Sequence, residues 1–202
     1  MIITRQTQKE RDLLIMAKEI INSFENGIAA IGGSLMLSCI GARKLREAND
    51  IDIVLNSDYY TKVWESHGDC HFLSEYLKNK LKNNNIKVQK HIKKYDFDEF
   101  FDMFMNDEPS PYDDVFSFVL EDKTKIDFLL SESNRFFEKD GFFYSSLNDL
   151  FSAKNRYMHF NNKHAQDICY MYEHNMRFCI PTQIYTNAKN ILLKKSKWIK
   201  NT

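Results

Sequence analysis

Net charge is the first thing this 202-residue chain lacks: Lys+Arg and Asp+Glu both number 28. A balanced chain carries no general electrostatic signature of a nucleic-acid binder, which leaves only local patches for such contacts. Long apolar runs are missing too. None approaches the roughly 20 residues of a membrane span, and the first residues show no signal-peptide pattern. The four cysteines, Cys39, Cys70, Cys169 and Cys179, include no CxxC pair. That absence argues against a disulfide framework and predicts a reduced, cytoplasmic protein with free thiols. Internal repeats, low-complexity tracts and obvious linkers are likewise absent. What is present is 43% hydrophobic and 14% aromatic residues, enough for a packed core.

Periodicity gives the skeleton. Leu13, Met16, Ala17, Ile20, Ile21 and Phe24 mark one face of a helix, with Asn26-Gly27 as its stop. Ile28 to Ile31 reads as a short buried strand broken at Gly32-Gly33. Ser34 is a suitable N-cap for a helix from Leu35 to Ile40, which Gly41 closes. Ile51 to Leu55 forms a second apolar strand, and Leu73 to Leu81 a helix ending in three asparagines. In Ile86 to Ile92 alternation turns Lys87, Gln89 and His91 to water. Tyr95 to Glu108 reads as an irregular connection. Val115–Leu120 and Ile126–Leu130 make a hairpin, and an Asp140-Gly141 turn precedes Phe142 to Tyr144. From Leu147 onward the pattern is helical, with Pro181 in the first turn of the last helix. The expectation is a mixed α/β core over 1–146 and a C-terminal helical region over 147–202.

Three features carry chemistry. Gly32-Gly33-Ser34 lies between a strand and a helix, where backbone N–H groups and a serine hydroxyl can hold phosphate oxygens; an ordinary capped turn would look the same. In Asn49-Asp50-Ile51-Asp52-Ile53 the two aspartates share one strand face while the isoleucines enter the core. Strands are poor in aspartate and like charges repel, so a divalent cation is the simplest agent to offset them, with a solvated edge-strand face as the alternative. Lys125-Ile126-Asp127-Phe128 places a third acid in an apolar strand, able to join the pair if the strands are neighbours. Other candidates are weaker. His67, Cys70 and His71 lack a fourth zinc ligand. His159, His164 and His174 read as surface or packing residues, and Phe136-Phe137 with Phe142 to Tyr144 as hairpin packing on which a base could also stack. Lys189, Lys194, Lys195, Lys197 and Lys200 form a solvated face, or a phosphate-contacting one if the acceptor is a nucleic acid.

The order Gly-Gly-Ser, Asp-x-Asp, then apolar-Asp-apolar resembles the nucleotidyltransferase superfamily of DNA polymerase β, poly(A) polymerase and the aminoglycoside nucleotidyltransferases. It is most similar to the AbiEii and MenT toxin type. Gly32-Gly33-Ser34-Leu35, Arg46, Asn49-Asp50-Ile51-Asp52, Asp149-Leu150 through Lys154, and Lys163 to Asp167 carry the likeness, which spans roughly 28–170. Asn49 stands where that type commonly has serine, and Tyr59–Tyr112 has no counterpart pattern. The resemblance implies a nucleotidyltransferase fold and transfer of a nucleoside monophosphate from an NTP such as ATP. Two Mg²⁺ ions would sit on Asp50, Asp52 and Asp127, with Gly32, Gly33, Ser34 and Lys154 on the triphosphate. Asp167 would orient Lys154 or the acceptor, or be a surface helix acid. The implied acceptor is a hydroxyl on an RNA end such as tRNA, on a protein, or on a small molecule, in a toxin–antitoxin or defence setting. The alternative is a catalytically silent relative that binds a partner protein or nucleotide. A kinase-like or phosphodiester-cleaving enzyme would not need the Gly-Gly-Ser turn.

Overall fold

The computed structural model describes residues 6–40, 47–59, 62, 70–92, 114–131, 133–159, 162–174 and 180–199. Helix α1 spans Gln8–Asn22, five residues earlier than Leu13 suggested. Its start is a capping box. The Thr7 hydroxyl accepts from the Glu10 amide (3.2 Å), and the Glu10 carboxylate accepts from the Thr7 amide (3.1 Å). The helix ends ahead of Asn26-Gly27, because the Ser23 hydroxyl and amide both take the Ile20 carbonyl.

Strand β1 (Ala29–Ile31) leads into α2 (Gly33–Ile40), followed by β2 (Asp50–Asn56), α3 (Cys70–Asn83) and β3 (Val88–Ile92). The hairpin β4 (Asp114–Leu120) and β5 (Lys125–Ser131) and the hairpin β6 (Phe136–Lys139) and β7 (Phe142–Ser145) come next. Asp140 and Gly141 turn the second hairpin, both with positive φ (54° and 76°), as a tight two-residue turn requires. Three helices close the chain: α4 (Leu147–Tyr157), α5 (Asn162–Glu173) and α6 (Thr182–Ile199). Pro181 stands just ahead of α6 rather than inside its first turn, its carbonyl accepting from Ile184 and Tyr185.

The strands form one seven-stranded mixed sheet in the order β3-β4-β5-β2-β1-β7-β6. β2 pairs parallel with β5 and antiparallel with β1, and β1 pairs parallel with β7. Ile51, Ile53, Ile126 and Phe128 point to one face and are fully buried, with Leu13, Ala17, Ile20 and Phe24 of the α1 region in the same core. The Phe24 and Phe128 ring centroids lie 6.5 Å apart, and Phe118 meets Phe128 edge-on at 5.9 Å. Each such side chain contributes about 1.5–3 kcal/mol by leaving water. On the opposite face Val54 and Leu129 pack with Phe136 and with Ala153 of α4 in a small separate cluster.

One strand departs from its sequence pattern. The β3–β4 register shifts between Val88 and Lys90, so alternation changes phase at this bulge. His91 is therefore half-buried and stacks on Phe118 at 4.8 Å instead of facing water. The connection Tyr95–Glu108 lies outside the described residues.

Candidate active site

The parallel register of β2 and β5 places four polar residues as a square on one sheet face. Asp50 is level with Lys125, and Asp52 with Asp127. Residues two apart along a strand, and registered partners across parallel strands, point the same way. Asp127 is the most enclosed of the acids, at 5% exposure. Its carboxylate accepts from Ser117 Oγ, opposite it on β4, at 2.5 Å and from Lys125 Nζ at 2.5 Å. Neither Ser117 nor Lys125 was singled out in the sequence, although Lys125 lies two residues before Asp127, the spacing that identified Asp50 and Asp52.

The glycine turn abuts this square. The Gly32 amide donates to the Asp52 carbonyl (2.8 Å), and the Gly32 carbonyl accepts the first bond of α2 from Met36 (3.0 Å). Gly33 has φ +57°, and a Cβ there would fall 1.5 Å from Asp52 Oδ2, 2.4 Å from Cγ and 2.9 Å from Cβ. The Asp52 carboxylate thus lies directly against the Gly33 backbone, at the positive end of α2. Ser34 is not the N-cap expected of it. The helix already includes Gly33, and Ser34 Oγ donates instead to Asp50 Oδ1 at 3.3 Å.

Gly33→Ala follows as a test of this packing. The positive φ alone costs about 1–2 kcal/mol for an alanine. Turning the Asp52 side chain cannot remove the contact with its own Cβ, so a total loss of about 2–3 kcal/mol is expected in chemical denaturation. A loss under ~1 kcal/mol would mean that the turn yields freely.

The entry to β2 is tied to α1. Glu10, fully buried, uses its second oxygen to accept from the Ala48 amide (3.1 Å), and Lys9 Nζ donates to Asn49 Oδ1 (2.7 Å). Asn49, where the toxin-type pattern commonly has serine, is therefore anchored to the first helix.

Electrostatics single out Asp52. Burial, then Asp50, then Asp127 push its pKa up to about 7, against the opposing pull of Lys154 and Lys125. Lys154 on α4 is buried at 6% exposure and pairs with Asp167 of α5 (3.0 Å), itself fully buried. Lys154 is thus a buried, paired cation, and Asp167 is not a surface acid. Asp149, also buried, accepts from the hydroxyls of Ser131 (2.7 Å) and Ser133 (2.8 Å), which fastens the start of α4 to the end of β5.

The remaining candidates do not join this site. His159 is exposed and His174 packs edge-on against Tyr170 (4.3 Å). His164, on α5, is half-buried. Phe137 and Phe142 lie against Tyr144 in the second hairpin. Lys189 sits over the Tyr185 ring beside Glu173, and Lys194 is exposed. His67, Arg46 and Cys179, the side chains of Cys70 and His71, and those of Lys195, Lys197 and Lys200 lie outside the described residues. No described helix is long and apolar enough to cross a membrane.

Whether the site suits Mg²⁺ turns on its donors. Asp50, Asp52 and Asp127 offer only carboxylate oxygens, the hard ligands this ion prefers, and the absence of a Cβ at Gly33 lets the Asp52 carboxylate lie against the turn. Among the described residues, no three His, Cys, Asp or Glu side chains are placed to hold a metal ion as they lie. Mg²⁺ does not need three: one or two carboxylates suffice when substrate phosphates and water complete the shell. Asp50 and Asp52 fit that requirement.

No protein-family model matches the chain, and no curated protein matches its sequence. Solved structures do match its fold. JHP933 from Helicobacter pylori superposes with a TM-score of 0.52 at 10% identity, over 96% of this chain and 79% of that one. A candidate nucleotidyltransferase from the same organism gives 0.52 at 10% identity, over 96% and 81%. The seven-stranded mixed sheet with flanking helices is thus a nucleotidyltransferase-like fold, as the sequence predicted; the similarity to these proteins is one of fold.

Proposed function

We propose that this chain is a nucleotidyltransferase that moves a nucleoside monophosphate from an NTP to a hydroxyl. The observation that carries the reading is the level pairing of Asp52 and Asp127 on parallel strands, with the Gly33 backbone against the Asp52 carboxylate. A fold shared with a candidate nucleotidyltransferase supports it.

In this reading Asp50 and Asp52 hold Mg²⁺, with Asp127 completing the site for a second ion. Bound there, the metal neutralises triphosphate charge and acidifies an acceptor hydroxyl. The amides at Gly32 and Gly33 and the start of α2 receive the β- and γ-phosphates, and Ser34 exchanges its bond to Asp50 for one to a phosphate oxygen. Asp127 aligns the acceptor oxygen with the α-phosphorus. The buried Lys154 steadies the ionised form of Asp52 at a distance and adds positive potential behind the triphosphate. The AbiEii and MenT toxin-type relationship, a cytoplasmic location, and tRNA or a protein as acceptor belong to the same proposal.

The engagement of Asp127 by Lys125 favours one rival, a silent relative that binds nucleotide without transferring it. Two measurements separate them. Saturating Mg²⁺ and NTP at about 100 Kd should stabilise the protein by about 2.7 kcal/mol, roughly 5–10 °C in Tm for a chain of this size. Incubation with each α-labelled NTP and a cell extract should then move label onto an acceptor. A thermal shift with no label transfer for any NTP would favour the silent binder; no thermal shift at all would sink both.

A further inference from the structure

Asp50, Asp52 and Asp127 fill three corners of the square on the sheet face, and Lys125 fills the fourth, level with Asp50 and two residues before Asp127. Its ammonium sits on Asp127 Oδ2 at 2.5 Å, with the lysine side chain 35% exposed and the Asp127 side chain 7% exposed. Ser117 takes the other oxygen. Both oxygens of Asp127 are therefore engaged, one by a hydroxyl and one by a movable cation that reaches outward to solvent. A compact ammonium on a flexible stem can leave one anion for another at little strain.

We propose that Lys125 is a built-in counter-ion that keeps Asp127 closed to divalent cations until a nucleoside triphosphate draws the ammonium away. This rests on the nucleotidyltransferase reading and adds an order of events to it. Lys125 moves from Asp127 to a phosphate oxygen, which frees Asp127 Oδ2 and delivers a positive charge to the triphosphate in the same movement. Without nucleotide the ion pair stays closed, so the fully charged acidic cluster forms only when substrate is present.

Lys125 also sets a positive charge among the three acids. Like charges this close are held apart or neutralised by whatever cation is at hand, and here that cation is covalently part of β5. Its register places it beside Asp50, the acid to which Ser34 of the glycine turn donates.

The test uses Mn²⁺ alone, followed by titration calorimetry and by electron paramagnetic resonance of free Mn²⁺, with no nucleotide. Lys125→Met should bind Mn²⁺ about tenfold more tightly than the parent, the change expected when one competing charge close to a carboxylate is removed. Lys125→Arg keeps the charge and should stay within about twofold of the parent. Adding Asp127→Asn to Lys125→Met should return the affinity to the parental value. Unchanged Mn²⁺ affinity in Lys125→Met overturns the proposal, as does an equal gain in Lys125→Arg or a gain that survives Asp127→Asn. Lys125 is partly exposed, so the variants should fold; a parental circular dichroism spectrum verifies this. Label transfer by the parent is scored separately. Failure there would sink the nucleotidyl-transfer reading, whereas these cation affinities judge Lys125 alone.

Discussion

Asp52→Asn should lower nucleotidyl transfer by about 10³-fold or more while making the nucleotide-free protein more stable. The activity loss is that of a metal ligand, worth several kcal/mol of transition-state charge stabilisation. The stability gain has a separate origin. Asp52 is pushed from 3.8 up to about 7 by burial and by its two acidic neighbours. An acid raised in this way is held more readily in its protonated form by the folded chain, so its ionisation weakens the fold. The penalty is absent below the unfolded value near 4, grows as pH rises toward 7, and is complete above 7. Asparagine removes it. The variant should match the parent at pH 4 and exceed it by about 1–2 kcal/mol at pH 8, after allowance for solvent screening. Urea titrations at both pH values, paired with label transfer, measure the two effects. An aspartate with a purely structural role would lose stability at both pH values and leave transfer untouched.

Lys154→Met should produce the largest loss of stability of any substitution considered. Lys154 and Asp167 form an ion pair in which both side chains are nearly inaccessible, at 8% and 1%. Removing the ammonium takes a charge partner away from a fully buried carboxylate, a change that costs up to about 3–5 kcal/mol. For a chain of this size that corresponds to roughly 10 °C in Tm. Adding Asp167→Asn should restore more than half of the loss, because the buried negative charge is gone. The pair joins α4 to α5, and Lys154 also acts on Asp52, so the double variant should still transfer label poorly even where its stability is recovered. A Lys154→Met protein as stable as the parent would show that Asp167 finds a substitute cation.

Much of this arrangement was legible in the residues, for a physical reason. The buried strands announce themselves as apolar runs, and a lone acid inside such a run is conspicuous because strands rarely tolerate one. Asp50, Asp52 and Asp127 stood out on that ground. The pairing of β2 with β5 was readable only as a conditional, since neighbouring strands separated by many residues leave no local trace. Lys125 escaped because a lysine at the start of a strand looks like a solvated edge residue until its partner is known. The burial of Glu10, Asp149 and Asp167 escaped for a related reason, although the resemblance already offered Asp167 as a partner that orients Lys154. A helix acid resembles every other helix acid, and only tertiary contacts reveal that these three are buried: Glu10 under Ala48, Asp149 among serines, Asp167 on Lys154. His91 was misplaced by a bulge, which shifts alternation by one residue without altering composition.

The parallel pairing of β2 with β5 also has a kinetic side. Positions 52 and 127, level across that ladder, are 75 residues apart in the chain (127 − 52), whereas β5 meets β4 through a short turn. Closing a connection of that length costs roughly 4 kcal/mol in chain entropy, against which a doubling of its length adds only about 0.6 kcal/mol. The β4–β5 hairpin can therefore form early and bring Asp127 and Lys125 together on their own. Asp50 and Asp52 arrive later, with β2, so the repulsive carboxylates come together after the lysine is already in place. Because length is so weakly penalised, lengthening the β2-to-β5 connection by a few residues would cost little in closing the ladder that aligns the acids.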